Sequence, residues 1–262
     1  MTLVFDHAAA RVFNDSETRM WRFALLIALA AVPLGAAMVL DARQFQEEAV
    51  WLKPLKFHLA LVVYFATLAF FARWLSARME AGRAWRLFLG VAMGMTVAEL
   101  VWIGGAAALG VWSHFNVSSP LWGAVYGVMG LAATLLTALT LVMGVAIWRD
   151  RASVLAAPLR QAVGLGLVMT FGLTMLTAWT MAAGPGHHVG VPLAGARVPL
   201  MGWSREVGDL RLPHFLATHA LHVVPLAGLA GSRGVVWAVG LGYGALVLWA
   251  FGRALAGLPL LA

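Results

Sequence analysis

Cysteine is absent from this chain of 262 residues. Without a thiol, the chain forms no disulfide, no thiolate metal site and no iron–sulfur cluster, and it attaches no haem through a Cys-x-x-Cys-His segment. If the protein binds a metal or a haem, the ligands must therefore come from His, Asp, Glu, Met or Tyr.

Charge is also scarce: only 11% of the residues are charged and 62% are hydrophobic. Soluble domains have about 25% charged and 45–50% apolar residues, and no non-hydrophobic stretch here exceeds about 30 residues. Apolar runs of about 20 residues, each long enough to cross a bilayer, predict an all-α polytopic integral membrane bundle that forms a single transmembrane domain over residues 1–262. The seven predicted spans are 21–40, 54–74, 84–109, 120–148, 158–183, 212–230 and 235–255.

Lysine occurs only at Lys53 and Lys56, at the mouth of the second predicted span. A retinal Schiff base needs a lysine within a span, so a retinal protein is nearly excluded. The net charge of +7 comes mainly from arginine. We attribute it to arginines at the cytoplasmic ends of spans, beside anionic headgroups, and expect no nucleic-acid partner.

The distribution of basic residues predicts the orientation of the chain. If seven spans alternate, eleven of the 18 basic residues fall on the side of the N-terminus and seven on the other. This bias predicts a cytoplasmic N-terminus and an external C-terminus. Asp6 among the first residues, close to Arg11, is unlike the basic start of a signal peptide, so we expect the first span to be retained.

With this topology, the polar residues of the spans gather in the outer half of the membrane. His58 lies one turn inside the second span, and Glu99 lies about 15 Å below the outer end of the third. A carboxylate at that depth costs a few kcal/mol and normally has a partner or a role.

The segment "HFLATHALH" begins the sixth predicted span with three histidines. On a continuous helix, His219 and His222 lie about 60° apart and share a face, whereas His214 lies higher, near the outer mouth. One helix therefore supplies at most half of a site, and His58 and Glu99 are the expected partners. His187 and His188, in a Gly/Pro-rich loop, are expected to be solvated.

Three G-x-x-x-G pairs allow close helix approach, which favours packing within the monomer, with an oligomer face as the alternative. The pairs are Gly90–Gly94, Gly123–Gly127 and Gly240–Gly244.

The segments "WLKPLKFHLAL", "SHFN" followed by "SPLWGAVYGVMG", and "GDLRLPHFLATHALHVVPL" resemble an uncharacterised group of bacterial multispan membrane proteins. That group shares W-x-K-P-x-K-F, S-H-F-N and G-D-L-R-x-x-H-F-x-x-x-H-A segments. The resemblance covers about 60 residues and implies location in the bacterial inner membrane. It also implies one site formed by Lys53, Lys56, His114, Asn116, Asp209, Arg211, His214 and His219. The predicted topology places all of these residues on the outer side, facing the periplasm or the exterior.

Three functions remain open at this stage. The first is a redox protein with haem b or a transition metal (zinc, iron or copper). Its candidate metal ligands are His58, His214, His219 and His222. Its candidate cofactor-binding residues are His58, His114, Asn116, Lys53, Lys56 and Arg211, and the candidate catalytic carboxylates are Glu99 and Asp209.

The second hypothesis is a zinc-dependent intramembrane hydrolase, similar in layout to the alkaline ceramidases and adiponectin receptors. In it, His58, His219 and His222 would bind zinc and Glu99 would act as base. The third is a transporter or binding protein for a small molecule or lipid, with Glu99 and the histidines as a proton relay. No internal repeat is visible, which weakens the transporter hypothesis.

Overall fold

The computed structural model describes residues 14–45 and 48–261; Asp6 and Arg11 therefore lie outside the described residues. The described chain contains seven helical segments long and apolar enough to cross a membrane, which confirms the all-α seven-span bundle. The long helices are α1 (Asp15–Leu40), α2 (Leu52–Ala72), α4 (Arg83–Leu109), α5 (Pro120–Arg149), α6 (Ala157–Ala183) and α9 (Arg233–Leu255), and α3 (Ala77–Ala81) is a short helix between two of them.

Local capping sets several of these helix bounds. Asn14 accepts a hydrogen bond from the backbone N–H of Glu17 at the start of α1. Ser119 caps α5, and Pro120 occupies its first turn, where a missing N–H costs nothing. Gly110 ends α4 in the left-handed conformation, with φ of 67°.

The sixth span differs from the prediction, because it is broken rather than continuous. It consists of α7 (Arg211–Thr218), α8 (Ala220–Val223) and a 3-10 helix (Val224–Ala230). His219 lies between α7 and α8 with φ of −94° and ψ of 0°, outside regular α-helical geometry. Pro225 lies in the first turn of the 3-10 helix, and its missing N–H and its ring prevent regular α-helical bonding in the preceding turn.

Three connections meet at one end of the bundle, which we call the long-loop end: residues 41–51, 110–119 and 184–210. Arg43 donates to the carbonyl of Ala108 at the end of α4, and Phe45 packs edge-on against Trp112. Two short hairpins lie here: β1 (Gln44–Phe45) pairs with β2 (Glu48–Ala49), and β3 (His188–Val189) pairs with β4 (Gly208–Asp209). The ring of Phe115 lies 6.4 Å from that of His187, so the long loop is held against the connection 110–119.

Close helix packing occurs at different glycines from those predicted. A Cβ at Gly144 of α5 would lie 3.0 Å from the carbonyl oxygen of Gly164 on α6, so these helices cross at their glycines. Gly240 packs within the monomer as expected, against Leu165. By contrast, a Cβ added at Gly90, Gly94, Gly123 or Gly127 would meet no described atom of another helix within 4 Å, so the expected packing of these two pairs within the monomer is wrong.

Candidate functional site

Three titratable side chains from separate segments meet at the long-loop end. Lys53 Nζ of α2 lies 3.2 Å from Nδ1 of His114, and His114 Nε2 lies 3.8 Å from Oε1 of Glu99 on α4. Lys53 also interacts electrostatically with Glu99 and Arg211. Glu99 is only 5% exposed. Its second oxygen, Oε2, is buried and accepts no hydrogen bond from any residue that the structure describes.

The "SHFN" loop places His114 between Lys53 and Glu99. Phe115 has φ of 59°, a left-handed conformation that is uncommon for a bulky residue. Asn116 is buried, and its Oδ1 accepts hydrogen bonds from the backbone and hydroxyl of Ser118. Asn116, predicted to bind a cofactor, therefore holds the loop that positions His114.

The contacts of His114 also define its protonation. Burial, and then the nearby charge of Lys53, lower the pKa of His114 to about 3, so the ring is neutral at physiological pH. A lysine ammonium can only donate, so Nδ1 of His114 accepts from Lys53 and Nε2 carries the hydrogen. That N–H lies on the side of Glu99.

Asp209, predicted as catalytic, organises the long loop instead. Its carboxylate accepts hydrogen bonds from the guanidinium of Arg211 and from the backbone N–H of Ser204. Burial raises the pKa of Asp209, but the His188 ring, whose Nε2 lies 3.5 Å from Oδ2, and the hydrogen bonds from Arg211 outweigh it and hold the pKa well below its usual range. Arg211 is equally engaged, so both predicted site residues serve to fix the start of α7.

His187 and His188 are half-buried rather than solvated as expected. They line a cavity of about 310 Å³ with Trp112, Phe115, Pro185 and Gly186. Burial, and then the charge of Arg211, lower the pKa of His187 to about 3. The Gly/Pro-rich sequence of this loop suggested solvation. The pairing of His188 with Asp209 across β3 and β4, which accompanies the partial burial of the two histidines, has no signal in the local sequence.

Ligand atoms of His187, His188 and Asp209 lie within 4.8 Å of one another, which is compatible with a metal ion. The guanidinium of Arg211, however, already neutralises the Asp209 carboxylate through Nε and Nη2. A divalent cation would have to displace Arg211 or tolerate its charge at short range, so this group is a poor cation site.

Each predicted span histidine donates one N–H to the protein. His58 Nδ1 and His219 Nδ1 donate to the carbonyls of Pro54 and Phe215, both at 2.8 Å. Because a neutral imidazole has one donor and one acceptor nitrogen, each of these rings keeps a free Nε2 lone pair. The rings of His219 and His222 lie 5.2 Å apart, so the two neighbour one another as predicted.

The structure does not assemble the predicted metal set. Among the described residues, no three of His58, His214, His219 and His222 bring ligand atoms within 4.8 Å of one another. Glu99 lies beside His114 rather than within a zinc set of His58, His219 and His222. Lys56, also predicted for the site, is half-buried and makes no hydrogen bond or ion pair with a described residue.

By fold, the chain is a multi-pass helical membrane protein. Comparisons with protein families, with curated proteins and with solved structures find no match to it. The geometry of the site is therefore the guide to its function.

Proposed function

We propose that the protein is a proton-coupled transporter of a small molecule, in which Lys53 and His114 deliver a proton to Glu99. The observation that carries this proposal is the buried carboxylate of Glu99 beside the N–H of a neutral histidine. A membrane-embedded carboxylate with an unused oxygen binds a proton favourably, because the protonated form avoids most of the cost of burying a charge.

The proton moves by exchange across the imidazole ring. Lys53 gives a proton to Nδ1 of His114 while Nε2 gives its proton to Glu99, so that the lysine becomes neutral and the glutamic acid forms. The ring ends as the other neutral tautomer. The 3.8 Å between Nε2 and Oε1 exceeds a direct hydrogen bond, and a side-chain movement of about 1 Å, or one bridging water, closes it.

The cavity lined by Trp112, Phe115, His187 and His188 is the proposed entry for the transported molecule. Phe115 lines the cavity and directly follows His114 in the loop, so occupancy of the cavity acts on the position of the imidazole. We place the protein in the bacterial inner membrane with the long-loop end facing the periplasm. This orientation exposes Lys53 to the source of protons.

The test is infrared titration of the purified protein reconstituted in lipid. We expect a carboxylic-acid carbonyl band that is lost as the pH is raised and is absent in Glu99→Gln, which keeps the side-chain shape but binds no proton. His114→Phe should slow proton uptake and leave the band present, because it removes the relay and not the acceptor.

A matched control is Glu206→Gln. Glu206 lies in the exposed long loop and accepts hydrogen bonds from the backbone of Leu193 and Ala194, so this change should leave the titrating band intact. If the band is unchanged in Glu99→Gln, or if no carboxylic acid titrates in the parent protein, the proposed proton acceptor is wrong.

A haem or transition-metal redox centre is the second candidate. The N–H to carbonyl bonds of His58 and His219 support it, because such bonds orient a ligating imidazole and raise its basicity. Bound haem would supply one-electron chemistry, with His58 and His219 as its ligands. Purified protein should then show a Soret band that disappears in both His58→Ala and His219→Ala. A colourless protein without metal would exclude this candidate.

A further inference from the structure

The polar groups of the spans extend deeper into the bundle than Glu99. Thr67, the partner of His222, lies fifteen residues beyond the first residue of α2, which corresponds to about 22 Å along a helix of about 31 Å. The expected confinement of the histidines to the outer half is therefore wrong for His222, because its partner lies past the midpoint of α2.

The bonds of His222 determine which of its nitrogens is protonated. The hydroxyl of Thr67 donates to the carbonyl of Val63 at 2.7 Å, and a hydroxyl has only one hydrogen. At 3.0 Å from His222 Nε2, Thr67 Oγ1 must then act as acceptor, and Nε2 carries the hydrogen. The other nitrogen, Nδ1, is a bare acceptor that is buried and has no hydrogen-bond partner within the described ranges.

A similar arrangement occurs nearer the long-loop end. Thr177 of α6 donates to the carbonyl of Leu173, so it accepts from Nδ1 of His214 at 3.1 Å. One turn deeper on α6, Thr174 is only 4% exposed. Its hydroxyl has no hydrogen-bond partner among residues 14–45 and 48–261, although buried hydroxyls are normally bonded to protein or to water.

Further interactions link the histidines of the sixth span to the proton relay of Lys53, His114 and Glu99. His114 and His214 interact electrostatically, and the ring of His219 lies beside that of His222. The break at His219 interrupts regular helical hydrogen bonding along the same face. The titratable group that acts electrostatically on His222 is His219, on its own segment. The side chain of α2 that contacts His222, Thr67, carries no charge.

We propose that a water-filled path lined by His214, Thr174 and His219 leads from the long-loop end to His222. This inference rests on the proposed function, because it gives the proton taken up at the long-loop end a route past the middle of the membrane. Water in the path satisfies Thr174 Oγ1 and His222 Nδ1 and accounts for their lack of protein partners.

The absence of native cysteine makes the path directly testable. Thr174→Cys and His222→Cys, each the single cysteine of its variant, are reconstituted in vesicles and treated with a negatively charged methanethiosulfonate reagent from the long-loop side. Only the thiolate reacts, and it forms in contact with water, so both thiols should react at least about tenfold faster than thiols facing lipid. Leu176→Cys and Leu226→Cys are the matched controls, because Leu176 and Leu226 are exposed on the bundle surface at 41% and 63%.

Reaction of both path thiols from the long-loop side supports the proposal. Reaction no faster than the lipid controls, or reaction of His222→Cys only from the opposite side, overturns it. The infrared test on Glu99 is independent of the labelling test. If the path thiols react but no Glu99 band titrates, the water-filled path is supported and the proposed function is wrong.

A second readout addresses the protonation of His222 without cysteine chemistry. Nitrogen-15 NMR of the histidine rings should show a neutral His222 with the hydrogen on Nε2. Thr67→Val removes the acceptor with little change in volume and should shift the ring toward the Nδ1–H tautomer. A His222 signal that shows the Nδ1–H tautomer in the parent protein would contradict the proposal, because Nδ1 would then not be a bare acceptor.

Discussion

At the scale of single residues, hydrogen-bond partners decide what each histidine can do. His58 and His219 donate to carbonyls of their own helical segments, whereas His214 and His222 donate to threonines on neighbouring helices. In each ring one nitrogen donates its hydrogen to a protein acceptor, and the other nitrogen keeps a lone pair. A proton or a metal ion therefore finds an available lone pair at each ring without any change of tautomer.

The Asp209–Arg211 pair gives the first prediction at this scale. Replacing Asp209 with Asn leaves the Arg211 guanidinium without its counter-ion, and breaking a buried pair costs about 3 kcal/mol. We expect a lower midpoint of thermal unfolding in detergent and faster proteolysis within 184–210. Leu193→Ala, at a side chain of the same loop that is 95% exposed, is the control and should shift the midpoint much less.

The same carboxylate predicts a dependence of stability on pH. The pKa of Asp209 is lower in the folded than in the unfolded chain, so its contribution is fully present above about pH 4, the unfolded pKa, and is lost as the pH falls toward the folded value. Unfolding followed below about pH 4 should therefore be less pH-dependent in Asp209→Asn than in the parent. Equal slopes for the two proteins would contradict this assignment.

At the scale of helices, glycines set the distance between α5 and α6. A Cβ at Gly164 would lie 2.6 Å from Cβ of Trp148 and 3.0 Å from the carbonyl oxygen of Gly144. These are rigid neighbours, so Gly164→Val should separate the helices and cost at least about 1–3 kcal/mol, as overpacking does. Thermal unfolding in detergent measures the loss.

Gly90→Val is the control for this element, because no described atom lies within 4 Å of a Cβ at that position. It should change the unfolding midpoint little in the monomer. A large loss for Gly90→Val together with a small one for Gly164→Val would mean that the helices pack differently from the arrangement described here.

At the scale of the whole molecule, seven spans place the two ends of the bundle on opposite sides of the membrane. Leu193 of the long loop and Val154 between α5 and α6 are 95% and 94% exposed. As single cysteines in intact cells, Leu193→Cys should react with an impermeant maleimide at once, and Val154→Cys only after permeabilisation. The reverse pattern would be consistent with the same fold but would show that the orientation in the membrane is opposite to the proposed one.

Much of the architecture could be predicted from local sequence. Apolar runs and prolines at helix starts are local signals, and α4, α5 and α6 begin and end within one residue of the predicted spans. In the sixth span, Pro225 is a local signal for a kink. The break at His219 was missed, because it depends on the hydrogen bonding around that residue rather than on hydropathy. The glycine crossing of α5 and α6 was also missed, because it has no fixed spacing along a single helix.

The sequence by itself determined that this chain spans the membrane, which ligand types it has, and that Glu99 needs a partner. Only the tertiary structure decided that the partner is His114, that Asp209 is neutralised by Arg211, and that His222 reaches Thr67 past the middle of α2. The physical reason is range: hydropathy and capping act within a few residues, whereas hydrogen bonds and ion pairs join residues up to 155 positions apart in the chain.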